Sequence, residues 1–146
     1  MRTIRNALVI SALAAGVLAG AASAQEKPLY QRLGGYDAIA AVSDEFIARL
    51  ATDEMEKRFF VGFSADSKAR IRQHLVDFLC KAAGGPCVYT GRDMKTAHAG
   101  AGISKADWDH SVKVLVDVLN KFKVPEKEQK DLFALLVPLE KDIVEK

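Results

Sequence analysis

The run Tyr89-Thr90-Gly91-Arg92-Asp93-Met94-Lys95-Thr96-Ala97-His98-Ala99-Gly100-Ala101-Gly102-Ile103 carries a single histidine between two glycine-marked ends. A brief helix is expected from Arg92 to Ala99, closed by Gly100 and Gly102, because glycine favours the C-terminal cap of a helix. His98 therefore sits near the end of a short element, with Met94 one turn before it on the same face. A lone histidine is ordinarily a solvent-facing or packed residue. Its close company with Met94, Gly100 and Gly102 singles this one out.

Downstream, Ser104 is a good N-cap for a long helix with Trp108, Val112, Leu115, Leu119 and Phe122 on one apolar face. Pro125 falls where a final helix would begin, and Leu132, Leu135, Leu136, Leu139 and Ile143 give that helix its buried side. Pro138 is expected to kink it or mark a bend. His110 lies with Val114, Asp117 and Lys121 on a mostly polar side and receives no function, whereas Trp108 reads as packing.

Upstream, Gly84-Gly85-Pro86 ends a helix that starts at Ser64-Ala65-Asp66. Its apolar residues Ile71, Leu75, Phe78 and Leu79 follow the three-and-four spacing of a buried stripe, and His74 lies on that stripe. Before it come a tight corner at Asp53 to Arg58 leading into Phe59-Phe60, and a helix with Ile39, Val42, Phe46, Ile47 and Leu50 on one face. A first helical turn at Pro28 to Leu33 ends at Gly34-Gly35. No alternating strand pattern persists, so the expected class is all-α.

Arg2 and Arg5 precede an apolar run from Ala7 to about Ala22, and Ala22-Ser23-Ala24 is a small-residue cleavage site. Residues 1–24 are expected to be a removed signal peptide, with a single domain at 25–146 and a periplasmic or secreted destination. A membrane anchor would need a longer apolar span, and Gln25-Glu26-Lys27-Pro28 is polar and breaks a helix. Losing the two arginines takes the 21 basic residues to 19, equal to the 19 acidic ones. A neutral chain argues against nucleic-acid binding, which needs a basic face.

Cys80 and Cys87 flank the Gly84-Gly85-Pro86 turn. In an oxidising compartment they can form a disulfide, the alternative being two small core thiols. No Cys-x-x-Cys-His occurs, so nothing points to c-type haem attachment. Two pairs of substantial helices and several short pieces are too few to bury so many apolar residues against one another. A flat apolar group would complete the core, with Phe60, Phe63, Phe78 and Met94 packed on its faces. On helical pattern alone, an ordinary four-helix packing without a cofactor is the preferred alternative.

Taken together, Leu29-Tyr30-x-Arg32-Leu33-Gly34-Gly35, Phe59-Phe60, Gly84-Gly85-Pro86, Tyr89-Thr90-Gly91 and Met94-x-x-x-His98-x-Gly100-x-Gly102-Ile103 resemble the group I truncated haemoglobins in order and spacing. The likeness covers essentially the whole chain after residue 24. It implies a two-over-two helical sandwich around non-covalent haem b and its iron. By this resemblance His98 is the proximal iron ligand, its other ring nitrogen donating to a backbone carbonyl. Phe60 packs on the haem at the corner, and Phe63, Ile71, Leu75, Phe78, Leu79, Tyr89, Met94 and Ile103 complete the lining.

The distal side departs from the family's common pattern. Ile47 stands where a tyrosine often hydrogen-bonds bound oxygen, and Leu75 where a glutamine often supports it. Phe60 to His74 also carries about three extra residues. His74 is the polar side chain left over the iron, with three readings: a displaceable sixth ligand, a hydrogen-bond donor to bound gas, or an inward histidine satisfied by a haem propionate or water. The resemblance implies reversible binding of oxygen, nitric oxide or carbon monoxide. The competing functions are a redox enzyme, such as a nitric oxide dioxygenase or peroxidase, an electron-transfer protein, and a structural helical protein without haem. No flavin or nicotinamide motif appears, so any reductase would be a separate redox partner.

Overall fold

Side-chain caps decide where the helices of this chain begin. The computed structural model describes residues 26–146, and the segment read as a signal peptide lies outside the described residues. The Ser64 hydroxyl accepts from the Ser67 amide and starts α3 (Ala65–Ala82). Asp93 does the same for Thr96 at the head of α4 (Met94–His98). Ser104 and Asp107 cap each other reciprocally at the start of α5 (Lys105–Lys121). Ahead of these lie α1 (Leu29–Arg32), α2 (Gly35–Thr52) and a 3-10 turn at Lys57–Phe60. Behind them, Pro125 opens α6 (Glu126–Leu136), followed by a 3-10 turn at Val137–Leu139 and α7 (Glu140–Ile143). The described residues contain helices and turns and no strand, as the periodicity predicts.

The core is built from four helices. Ile39 and Val42 of α2, Val76, Leu79 and Cys80 of α3, Leu115, Val118 and Leu119 of α5, and Leu132 of α6 bury one another. The central helix is α2, packed against both α3 and α5. This is the expected all-α, two-over-two sandwich. Polar ties set the pairing: Arg72 of α3 makes a bidentate contact with Asp44 of α2 at 2.7 and 3.0 Å. Arg32 reaches Glu128 at 2.9 Å and Asp131 at 2.6 Å, fastening α1 to α6.

Three details differ from the sequence reading, each for a local reason. The short helix starts at Met94 rather than Arg92, because Asp93 takes the capping position. The last helical region divides at Pro138 as expected, since its ring cannot continue the hydrogen-bond ladder. Leu135 is 38% exposed, because α6 turns Leu132, Phe133 and Leu136 to the core and Leu135 lies roughly 100° round the helix. Phe122 is 40% exposed, because it is the C-cap of α5 and has left the track of the helical face.

The end of α3 brings the two cysteines together. The Gly85 amide donates to the Cys80 carbonyl at 2.8 Å and the Gly84 amide to Lys81 at 3.0 Å, with Gly84 at φ +82°, a Schellman cap. A Cβ on Gly85 would stand 2.5 Å from the Tyr30 ring and 2.7 Å from Cys80 Sγ, so only glycine fits there. Cys80 and Cys87 form a disulfide across this turn, with Cα atoms 5.8 Å apart.

Candidate functional site

Helix α3 presents two adjacent apolar faces rather than one. Val76, Leu79, Cys80 and Ala83 point into the protein core, with Val76 and Cys80 fully buried. Ile71, His74, Leu75 and Phe78 occupy the neighbouring sector of the helix and are only partly buried. The single stripe read from the sequence merged the two. Leu79 belongs to the core side, while Val76 and Cys80 were not expected as its main anchors.

Tyr89, carried on the loop after Cys87, lies against this second face. Its ring meets Phe78 edge-on at 5.4 Å and His74 at 6.0 Å. The phenol donates to the Arg92 carbonyl, which turns the loop back toward α4. Burial pushes the Tyr89 phenol above its ordinary pKa, so it remains a neutral donor. Phe60, Met94 and Ile103 are partly buried like the α3 face, whereas Phe63 is 44% exposed. Concavities of about 400 and 460 Å³ open elsewhere, at Phe60, Val61 and Lys68 and at His110, Lys113 and Asp117, and neither is lined by His74 or His98.

The two histidines differ in how their nitrogens are employed. His98 Nδ1 lies 2.8 Å from the Met94 carbonyl one turn back in α4. A carbonyl oxygen only accepts, so Nδ1 carries the proton and Nε2 keeps its lone pair. Among the described residues Nε2 has no hydrogen-bond partner. This is the arrangement a metal-ligating imidazole requires, with the second nitrogen fixing ring and tautomer. His74 Nδ1 is sealed from solvent and has no hydrogen-bond partner among the described residues. An imidazole buried in this way carries an uncompensated polar atom, a cost that a ligand or an incoming acceptor would remove.

These observations test whether haem fits the chain. Among the described residues no group of three or more His, Cys, Asp or Glu side chains could hold a metal ion. An iron held here by one or two imidazoles would take its remaining donors from outside these side chains, as a macrocycle supplies them. A flat apolar ring also matches the partly buried Ile71, Leu75, Phe78, Tyr89, Met94 and Ile103, whose surface protein neighbours leave uncovered. The residues present fit the group.

The third histidine and its surroundings belong elsewhere. His110 Nε2 contacts Asp53 Oδ2 at 2.9 Å and ties α5 to the corner after α2. That hydrogen bond, with the Met55 amide, holds the Asp53 carboxyl below its usual range. Arg58 pairs with Asp107 at 2.5 Å, and Glu56 is buried beside them. The Ser104-x-x-Asp107 spacing was a readable capping signal for part of this cluster. Glu56 had no signal, because its corner reads as polar surface.

Comparison with known proteins agrees with the geometry. The family model described as bacterial-like globin matches residues 28–145. A group 1 truncated hemoglobin, GlbN of Mycolicibacterium paratuberculosis, is 32% identical over 127 residues, covering 87% of this chain and 91% of that protein. The crystal structure of the Fe(III) form of truncated hemoglobin from Tetrahymena pyriformis superposes with a TM-score of 0.75 at 26% identity, over 82% of this chain and all of that one. The 2/2 hemoglobin of a Synechococcus species, in the cyanomet state with covalently attached heme, gives 0.74 at 28% identity over the same shares. This chain belongs to the bacterial-like globin family, in its group 1 truncated haemoglobin branch.

Proposed function

We propose that this chain binds haem b without a covalent link and, through it, reversibly binds oxygen or another diatomic gas. The haem supplies the iron that bonds the gas. The observation that carries the assignment is His98, whose Nδ1 is occupied by the Met94 carbonyl at 2.8 Å and whose Nε2 is free to donate its lone pair. Donation to the carbonyl raises the basicity of Nε2 and prevents the ring from turning. Ile71, Leu75 and Phe78 exclude water from the other side, and Tyr89 braces Phe78 and His74.

His74 would hold the iron as a displaceable second imidazole ligand, a role supported by its buried nitrogen without a hydrogen-bond partner among the described residues. A gas must then compete with an imidazole, which slows its binding and favours electron transfer as a second activity. Export through cleavage after Ala24 remains part of the same proposal, supported by the sequence of residues 1–24. The Cys80–Cys87 bridge suits an oxidising destination.

The test is the absorption spectrum of the purified ferric and ferrous protein. A Soret band is expected, with a low-spin pattern that becomes high-spin in His74→Leu. His98→Ala is expected to lose haem during purification. A chain that takes up no haem would overturn the assignment, and a high-spin wild-type spectrum would overturn the role of His74 alone.

A further inference from the structure

The loop after His98 is held by the far end of the chain. Gly100 and Gly102 both have positive φ, +80° and +69°, and a Cβ on Gly100 would meet nothing within 4 Å. The glycine at 100 therefore serves the backbone conformation and not a steric need. That conformation turns both amides toward one acceptor. Gly100 N–H donates to Glu145 Oε1 at 2.7 Å and Gly102 N–H to Glu145 Oε2 at 2.5 Å.

Backbone bonds continue the same junction. The Glu145 amide donates to the Ile103 carbonyl at 2.8 Å, and the Lys105 amide to the Lys146 carbonyl at 3.1 Å. Helix α7, anchored by buried Ile143, packs against α4 and delivers these residues. The two amide donors hold the Glu145 carboxyl below its usual range, as expected for an oxyanion in a concave pair of backbone N–H groups. The Ala101 amide bonds back to the His98 carbonyl at 3.1 Å, so the clamped loop begins at the imidazole-bearing residue itself.

We infer that Glu145 is a positioning residue for the His98 imidazole, fixing the backbone that follows His98 while the Met94 carbonyl fixes the ring. A ligating imidazole is restrained from both ends of its short helix. With one end released, the ring can rotate about its axis and tilt, which weakens its bond to a metal. Glu145 thereby acquires a function in the site that neither its exposure nor its separation in sequence from His98 suggests. The inference rests on the haem assignment of the preceding section.

Its test separates the two. Glu145→Ala and Glu145→Asp, both at a partly solvated surface position, are compared with the wild-type protein. Amide hydrogen exchange at Gly100 and Gly102 in the haem-free protein reads the clamp without any cofactor. The ferrous iron–histidine stretching band, recorded in a His74→Leu background, and the rate of haem transfer to apomyoglobin read its consequence for His98. In Glu145→Ala, exchange at both glycine amides is expected to rise at least tenfold. The iron–histidine band is expected to shift and broaden and haem transfer to speed up several-fold, with Glu145→Asp in between. Unchanged exchange would overturn the clamp. Faster exchange with an unshifted band and unchanged haem transfer would overturn the positioning role while leaving the haem assignment intact. A wild-type protein that takes up no haem would overturn both.

Discussion

Glu56 is a carboxylate in a place that does not suit its charge. It is 4% exposed, its Oε1 is sealed without a hydrogen-bond partner, and Asp107 lies close by. Burial first, and the Asp107 charge second, push its pKa above the ordinary 4.5. The folded state thus binds the Glu56 proton more tightly than the unfolded chain. Its stabilising contribution is complete below pH 4.5 and is lost as pH rises through the folded value. Glu56→Gln, which cannot ionise, is expected to be more stable than wild type at pH 7 by about 1 kcal/mol, the scale of one unsatisfied buried group. The gain should vanish near pH 4. Denaturant melts at both pH values check it, and a Gln variant less stable at pH 7 would show that the charge has a partner in solution. This residue was invisible in the sequence because its corner looks like solvated surface. His98 was legible for the opposite reason: Met94 and the two glycines record a backbone geometry, and backbone geometry survives in sequence. Glu145 was missed because its contact spans more than forty residues, beyond any local pattern.

Elements were most readable where a side chain caps them. Ser64, Ser104 and Pro125 are the N-caps of their helices in the structure, and Gly84-Gly85 directly follows Ala83, the C-cap of α3, since caps act through local hydrogen bonds. The division of α3 into a sector buried in the core and a partly buried sector bearing His74 was not readable, because both sectors are apolar and only tertiary neighbours distinguish them. Asp107 shows how much one cap carries. It accepts from the Ser104 hydroxyl at 2.7 Å and the Ser104 amide at 2.9 Å, and it receives the Arg58 guanidinium. These bonds, led by the Ser104 hydroxyl, depress its pKa to about 2. A depressed carboxylate stabilises the fold above its unfolded value of 3.8 and loses that contribution as pH falls through about 2. Asp107→Ala is expected to cost about 2 kcal/mol at pH 7, with the difference from wild type shrinking through the pH 4 to 2 window. Arg58→Ala should cost less, because Arg58 is half exposed and the Ser104 bonds remain. Equal losses in the two variants would mean that the ion pair, and not the cap, holds the start of α5.

Across the molecule, the disulfide joins the end of α3 to the loop that runs to His98. Cys80 is fully buried in the core, while Cys87 stands two residues before Tyr89, whose ring rests on Phe78 and His74. The bridge consequently presses the Tyr89 loop against the face of α3 that bears His74, and it does so from a fixed point in the core. Two separable effects follow on reduction and alkylation of both thiols. Stability should fall by about 2.5 kcal/mol, the chain-entropy value for so short a loop, or roughly 10 °C in Tm for a domain of this length. The second effect is on ligand access. With Tyr89 released, His74 loses the ring that restrains it on one side, and carbon monoxide should bind faster to the ferrous protein. A several-fold rise in the association rate, measured by rapid mixing well below the lowered Tm, is expected. The His74→Leu variant supplies the control, since it has no imidazole to displace and its rate should respond little to the state of the thiols. If the wild type and His74→Leu gain the same factor on reduction, the bridge governs entry of the gas through the loop and not the departure of His74.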